Sequence, residues 1–330
     1  MKLLLYGAFL FLLAMNSPGA DSNLVVKPVA AAVVSTNDPV EKEFQKVMEE
    51  DDDAQAEADK WIRDNQEFAA KGAGETDAEL NRRILVRFAT TRKAYDDFLA
   101  RHPDHARAHL AYAGFLQDIH DQEAALPHME KARELDPKNP AAWNNLANYY
   151  GHFGDVKKSF EYYAKAIELN PNEPVYFHNF GTTVYMFRKD AKEFYNINEQ
   201  QVFDKALDLY AKAMKLSPDD FPLATDVAQS YYGIKPLRAE DALKSWTNAL
   251  ALAHDEIERE GVYLHFARIK WMAGRTNEAR GHLNSVTNAM YADLKKRVER
   301  NLQRVYAETN APDATLPAPE KPLPDKTARQ

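Results

Sequence analysis

"WNNLANYYGHFGDVKKSFEYYAKAIELNP", residues 143–171, holds two amphipathic helix patterns divided at Gly154 and stopped by Pro171. Asp155 offers a capping carboxylate to the second helix, and proline, which lacks an N–H and clashes with the preceding turn, prevents that helix from continuing. Ala147, Ser159 and Ala166 are small where two helices must approach closely, and Trp143, Tyr150 and Tyr163 are large enough to fill the wedges around that contact. The stretch therefore predicts a helical hairpin.

The hairpin is not alone. From residue 106 a period of roughly 34 residues appears, the signature of stacked helical repeats. "ARAHLAYAGFLQDIHDQEAALPHMEKARELDPKN" (106–139) aligns with "PAAWNNLANYYGHFGDVKKSFEYYAKAIELNPNE" (140–173), and a third start follows at "PVYFHNFGTTVY" (174–185). Small residues and a terminal proline recur in register, as Ala113, Ala125, Ala132 and Pro137, then Ala147, Ser159, Ala166 and Pro171. The third unit, near 174–220, resumes with Ala206, Tyr210, Ala213 and Pro218 after an added segment, "FRKDAKEFYNINEQQ", expected to lengthen the first helix or to loop between the two. A fourth unit near 221–256 carries Ala228, Ala242, Trp246 and Ala249; a fifth near 260–293 carries Ala267, Gly274 and Ala279, with Lys270 where the second unit has Tyr150.

This pattern resembles the tetratricopeptide repeat. Trp143, Leu146, Ala147, Tyr150, Tyr163, Ala166 and Pro171 sit where that family places its large, small, aromatic and terminating residues. The resemblance implies an all-α, right-handed α-solenoid of about five helix pairs spanning 106–293, with extra helices before it and a capping helix after it. It also implies function, since in this family the first helix of each pair lines a concave wall that holds a peptide or protein partner. Here the wall positions are Asn144, Asn148 and His152, then His178, Thr182, Tyr185 and Met186, then Thr225, Gln229 and Tyr232, and finally Arg268 and Trp271. Amides both donate and accept hydrogen bonds and aromatic rings offer rigid apolar area, a combination suited to an extended peptide.

Asn145 and Asn179 share one further repeat position. They look like two rungs of the asparagine ladder with which the O-linked N-acetylglucosamine transferase superhelix holds peptide backbone, while Ala111 and Asp226 interrupt the series on either side. The competing reading is that such asparagines hydrogen-bond within the stack. The carboxylate clamp of chaperone-binding relatives is not matched, because Leu110, Gly114, Asn144 and Val175 stand where its basic and amide residues belong.

Outside the repeats, residues 40–105 supply N-terminal helices. Their stripes are Phe44, Val47, Met48, Ala58, Trp61 and Ile62, then Leu80, Ile84, Phe88, Tyr95, Phe98 and Leu99, parted by a turn at "KGAG" (71–74). The acidic run Glu49 to Asp53 reads as a solvated helix face. Residues 288–308 predict a capping helix, with Met290, Leu294, Val298, Leu302 and Val305 on one face and Lys295, Lys296, Arg297, Arg300 and Arg304 elsewhere around it. The Pro-rich segment 309–330 is expected to be disordered.

Residues 1–20, "MKLLLYGAFLFLLAMNSPGA", combine a lysine, a short apolar run and small residues, the anatomy of a signal peptide, and 21–39 read as a linker. The expectation is a periplasmic or secreted protein with no stable membrane anchor after cleavage. The chain has no cysteine, which excludes disulfides and thiol chemistry. Its net charge of −8 disfavours nucleic acid as a partner. No nucleophile elbow, dinucleotide turn or His-Glu-x-x-His motif occurs, and Pro103 separates His102 from His105 and His109. No catalytic residue, metal or cofactor is expected. The alternative to a groove-binding scaffold is a structural subunit of an envelope assembly that binds through its convex surface or its tail.

Overall fold

The structure, a computed structural model, describes residues 38–69 and 71–309, the last six of these as backbone only. The expected signal peptide, nearly all of the linker and nearly all of the tail lie outside the described residues. All regular secondary structure among the described residues is helical, and the chain divides into two compact units with the boundary between Ile234 and Lys235. That boundary falls inside the expected fourth repeat, after its first helix.

In the first unit, α1 (Pro39–Ala69) and α2 (Asp77–Arg101) form a hairpin. Asp38 caps α1, and Thr76 with Glu79 forms a reciprocal capping box at the start of α2. The Glu49 to Asp53 run is only partly solvated. Asp51 is buried and accepts a 2.7 Å bond from the Tyr95 hydroxyl, while Glu50 pairs with Arg87 and accepts from Thr91. The physical reason is helical phase: Asp51 falls on the Val47–Ala54–Ala58 face that α1 turns toward α2.

The helix pairs follow. α3 (Ala106–Asp118) packs on α4 (Gln122–Leu135), α5 (Pro140–Phe153) on α6 (Val156–Leu169), and α7 (Pro174–Met186) on α9 (Glu199–Leu216), and each second helix also meets the first helix of the next pair. Capping explains the boundaries. Asn139 and Glu173 cap first helices whose initial residue is proline, a position where the missing N–H costs nothing, and Asp121 and Asp155 cap second helices. α10 (Phe221–Ser230), capped by Asp220, packs on α9 and ends the unit with a 3-10 turn at Tyr231–Gly233.

Burial follows the small-residue register. Ala113, Ala125, Ala147, Ser159, Ala166, Ala213 and Ala228 are completely buried, beside the rings of Tyr163, Phe160 and Phe203. The added segment neither lengthens α7 nor loops: it forms a separate helix, α8 (Arg188–Tyr195), ended by Asn196 in the left-handed region at φ 51°. Phe194 and Tyr195 of α8 lie 5.4 and 5.7 Å from the Phe160 ring of α6, and Lys157 reaches Glu193 at 3.0 Å. A helix this short needs that platform, since isolated helices of such length are unstable.

The second unit contains α11 (Ala239–Leu252), α12 (Glu256–Met272), α13 (Thr276–Asn284) and α14 (Ala292–Thr309). α12 packs on α11, α13 and α14. Leu294, Val298 and Leu302 of α14 are buried as the stripe predicts, but Met290 is exposed. It belongs to a 3-10 turn before the helix, where Tyr291 turns inward instead and donates to the Ile257 carbonyl at 2.8 Å.

Candidate functional site

The first helices of the first unit carry most of the expected wall, and the structure divides those residues into two groups. Asn144, Asn145, Asn148, His178, Asn179 and Thr182 are buried. His152, Tyr185, Gln229 and Tyr232 remain partly exposed. In the second unit, Arg268 and Trp271 of α12 are also partly exposed.

The buried group forms two kinds of contact, each used twice. Between neighbouring repeats, Asn179 Nδ2 donates to Asn144 Oδ1 at 3.3 Å across α5 and α7, and the Asn144 amide donates to Asn145. One repeat later the corresponding pair is His178 and Asp226, with Nε2 and Oδ2 3.1 Å apart across α7 and α10. Within a repeat, the Tyr163 hydroxyl donates to Asn148 Oδ1 at 2.5 Å, and Tyr210 shares a 3.1 Å bond with Thr182. Thr183 joins the first of these, bonding the Tyr163 hydroxyl and the Asn179 carbonyl at 3.1 and 2.9 Å. These side chains are thus engaged with the stack itself, as buried polar groups must be if they are not to cost stability.

Electrostatics reinforce that separation. Burial pushes the Tyr163 and Tyr210 hydroxyls well above the usual tyrosine value, so both stay protonated. Burial also raises the Asp226 carboxyl, against the opposing influence of the facing His178. In the second unit His265 stacks on Trp246 with ring centroids 4.0 Å apart, and burial drives its pKa down to about 3, so it stays neutral.

Tyr185 is the best-positioned member of the partly exposed group. Its hydroxyl accepts the Gly233 N–H, and Arg188 lies 5.2 Å from its ring. A Cβ on Gly233 would sit 1.9 Å from that hydroxyl, so only glycine admits this approach. The Gly233 pin was not anticipated; its only sequence signal is the glycine ending "YYG" at 231–233. His152 sits between the rings of Phe153 and Phe187, at 6.1 and 6.3 Å, which link adjacent repeats by an aromatic edge.

Other candidate chemistry resolves into structural contacts. His102 and His105 face Glu43 and Glu41 at 3.0 and 3.2 Å, and His105 also caps α3. His109 donates from Nε2 to the Pro103 carbonyl, which leaves its Nδ1 to accept from His128 Nδ1 at 2.8 Å. Burial, with the neighbouring His109, lowers His128 to about 4. Among the described residues no group of three or more His, Asp or Glu side chains is arranged to hold a metal ion, and no helix is long and apolar enough to cross a membrane.

Comparison with known proteins agrees with the repeat pattern. The tetratricopeptide repeat family model matches residues 116–174. No curated protein matches the chain. Similar solved structures include YrrB, described as a TPR protein with an unusual peptide-binding site, at 15% identity over 63% of this chain and 99% of that one, TM-score 0.47. A thermophilic TPR protein of Thermus thermophilus is 20% identical over 60% and 99% of the two chains, TM-score 0.43. PilF of Pseudomonas aeruginosa is 17% identical over 78% and 99%, TM-score 0.48. Neither ligand nor partner carries over at such identities and TM-scores. The family pattern is thus matched within this chain over residues 116–174.

Proposed function

We propose that this protein is an exported, non-catalytic scaffold that holds an extended segment of a protein partner along the first helices of its repeats. The observation that carries this reading is the placement of His152, Tyr185, Gln229 and Tyr232, partly exposed beside a buried polar seam that fixes the helices bearing them. Side chains held in place before binding lose less freedom on binding, and rigid aromatics serve as anchors. The net charge of −8 favours a protein partner over nucleic acid. Export rests on the pattern of residues 1–20; fused to a reporter active only outside the cytoplasm, residues 1–25 should yield activity, and cytoplasmic retention defeats that part of the proposal.

The groove is tested by replacing His152, Gln229 and Tyr232 together with Ala. Partners captured by the parent from its own exported fraction should be lost at unchanged helicity, because each anchor contributes roughly 1 kcal/mol or more. A second reading, binding through another surface, is favoured by Leu85 and Val86, both more than half exposed on the outer face of α2. Undiminished capture by the triple variant, with loss on Leu85→Ser/Val86→Ser or on deletion of 310–330, would establish it instead.

A further inference from the structure

A cleft of about 530 Å³ opens on the N-terminal hairpin of α1 and α2 and shares no residue with the groove. Its walls are apolar at Trp61 and Val86 and cationic at Arg82, Arg83 and Arg87. The cations are a local reversal in a chain of net charge −8: from Arg82 to Lys93 α2 carries five basic residues, and no acidic residue stands between Glu79 and Asp96. Four of the five are engaged. Arg83 meets Glu75 at 2.9 Å, Arg87 meets Glu50 and Glu57, Arg92 meets Asp121, and Lys93 meets Asp97 at 2.6 Å. Arg82 has neither hydrogen bond nor ion pair among the described residues. The acids of the cleft are engaged as well, Glu75 by Arg83 and Glu79 by the Thr76 backbone N–H and hydroxyl at 2.9 and 2.8 Å. The charge left without a counterpart is therefore positive. Arg82, Val86 and Thr90, all exposed, recur at four-residue steps and so share one face of α2 over about 12 Å, the length of roughly four extended residues.

We propose that this cleft docks an extended segment of a partner protein in which a carboxylate stands beside a bulky apolar side chain. The carboxylate pairs with Arg82, whose planar guanidinium offers parallel N–H donors, and the apolar side chain covers Val86 and the Trp61 indole. Trp61 is held for that contact, since the Arg83 guanidinium lies 4.4 Å from its ring centroid and Glu75 anchors Arg83. Leu85, 55% exposed, extends the apolar surface. A protein segment suits the cleft better than a small molecule, because small-molecule sites enclose most of their ligand and Val86 is 67% exposed. The inference rests on the second reading, binding through the Leu85–Val86 surface, and supplies the chemistry of that surface.

Nuclear magnetic resonance of the isotope-labelled full chain tests this through the Trp61 indole N–H, identified by its loss in Trp61→Phe. The probes are two capped hexapeptides of alanine and leucine, one with a central glutamate and the other with glutamine in its place. The glutamate peptide should shift the Trp61 signal and bind about fivefold tighter, the upper end for an exposed ion pair. Arg82→Gln should bring the two peptides level, and Val86→Ser should weaken both alike. Equal binding of the two peptides to the parent, a preference that survives Arg82→Gln, or binding that leaves Trp61 unmoved would overturn the site. So would decanoate bound at Trp61 as tightly as the glutamate peptide, which assigns the cleft to a free carboxylic acid. An Arg82-dependent dimer in sedimentation overturns it too, in favour of a second copy of this chain. If the peptides fail while Leu85→Ser/Val86→Ser still abolishes partner capture, the surface binds and the acidic chemistry proposed for it is wrong.

Discussion

The ring of Tyr210 lies 2.9 Å from the point where a Cβ on Gly181 would sit, with the Ala206 carbonyl at 3.2 Å on the same side. Neither neighbour can yield easily, because Tyr210 is buried and bonded to Thr182 and the carbonyl belongs to α9. Gly181→Ala should therefore destabilise the first unit by roughly 1–3 kcal/mol through overpacking at the α7–α9 contact. Gly114→Ala in α3 is the control, at a glycine where a Cβ meets nothing within 4 Å. It should be neutral or stabilising by about 0.5–1 kcal/mol, since alanine is the better helix former. Thermal melting of both variants decides the matter, and equal shifts would refute the packing argument.

The same contrast shows what the sequence could convey. Close helix contacts are written in residue size, so Ala147, Ser159 and Ala166 announced the hairpin and are indeed completely buried. Side-chain direction is not written that way. Repeat position places Asn144 and Asn148 on a first helix, but what they bond depends on the residue opposite, and here Asn179 and Tyr163 stand within reach. The added segment was visible as extra length, yet its form as α8 depends on the Phe160 platform from another helix. Asp226 was visible only as a break in the asparagine series; its partner, His178, lies 48 residues away across the insertion.

Tyr163 ties two helices and two repeats through one hydroxyl, donating to Asn148 and accepting from Thr183. Tyr163→Phe keeps the ring against Phe180, 5.3 Å away, and removes only the oxygen. Two buried groups then lose a partner, which costs roughly 1–3 kcal/mol. Tyr162→Phe, at a partly exposed neighbour, is the comparison and should shift the melting midpoint far less. Similar midpoints for the two variants would show that the buried network adds nothing to stability.

Gly233 and Tyr185 couple the turn after α10 to the end of α7. Gly233→Ala should displace the Tyr185 ring, raising its accessibility to chemical nitration and reducing partner capture. Tyr185→Phe removes the atom nearest the new methyl but leaves the ring carbon at 2.9 Å, so the double variant should recover part, not all, of the stability lost by Gly233→Ala. Strict additivity of the two stability changes would count against the pin.

Glu260, buried on α12, accepts from the backbone N–H groups of Asn288 and Thr287 at 2.7 and 2.9 Å and from the Thr287 hydroxyl at 2.7 Å. Burial opposes its charge, but these donors outweigh burial and hold the carboxyl below its ordinary value. The sign is opposite to that of Asp226. A carboxyl depressed by folding contributes stability that is present above its unfolded value of 4.5 and lost as pH falls through the lower folded one. Glu260→Gln keeps the shape but has an amide nitrogen that meets donors, so near neutral pH it should weaken the turn at 286–291 by roughly 1–3 kcal/mol. Acidification through the lowered folded value protonates the parent glutamate and should narrow the gap. Hydrogen exchange at residues 287–291, compared between parent and variant along a pH series, reads this out; a gap that stays constant as pH falls would show that the charge on Glu260 does not hold the turn.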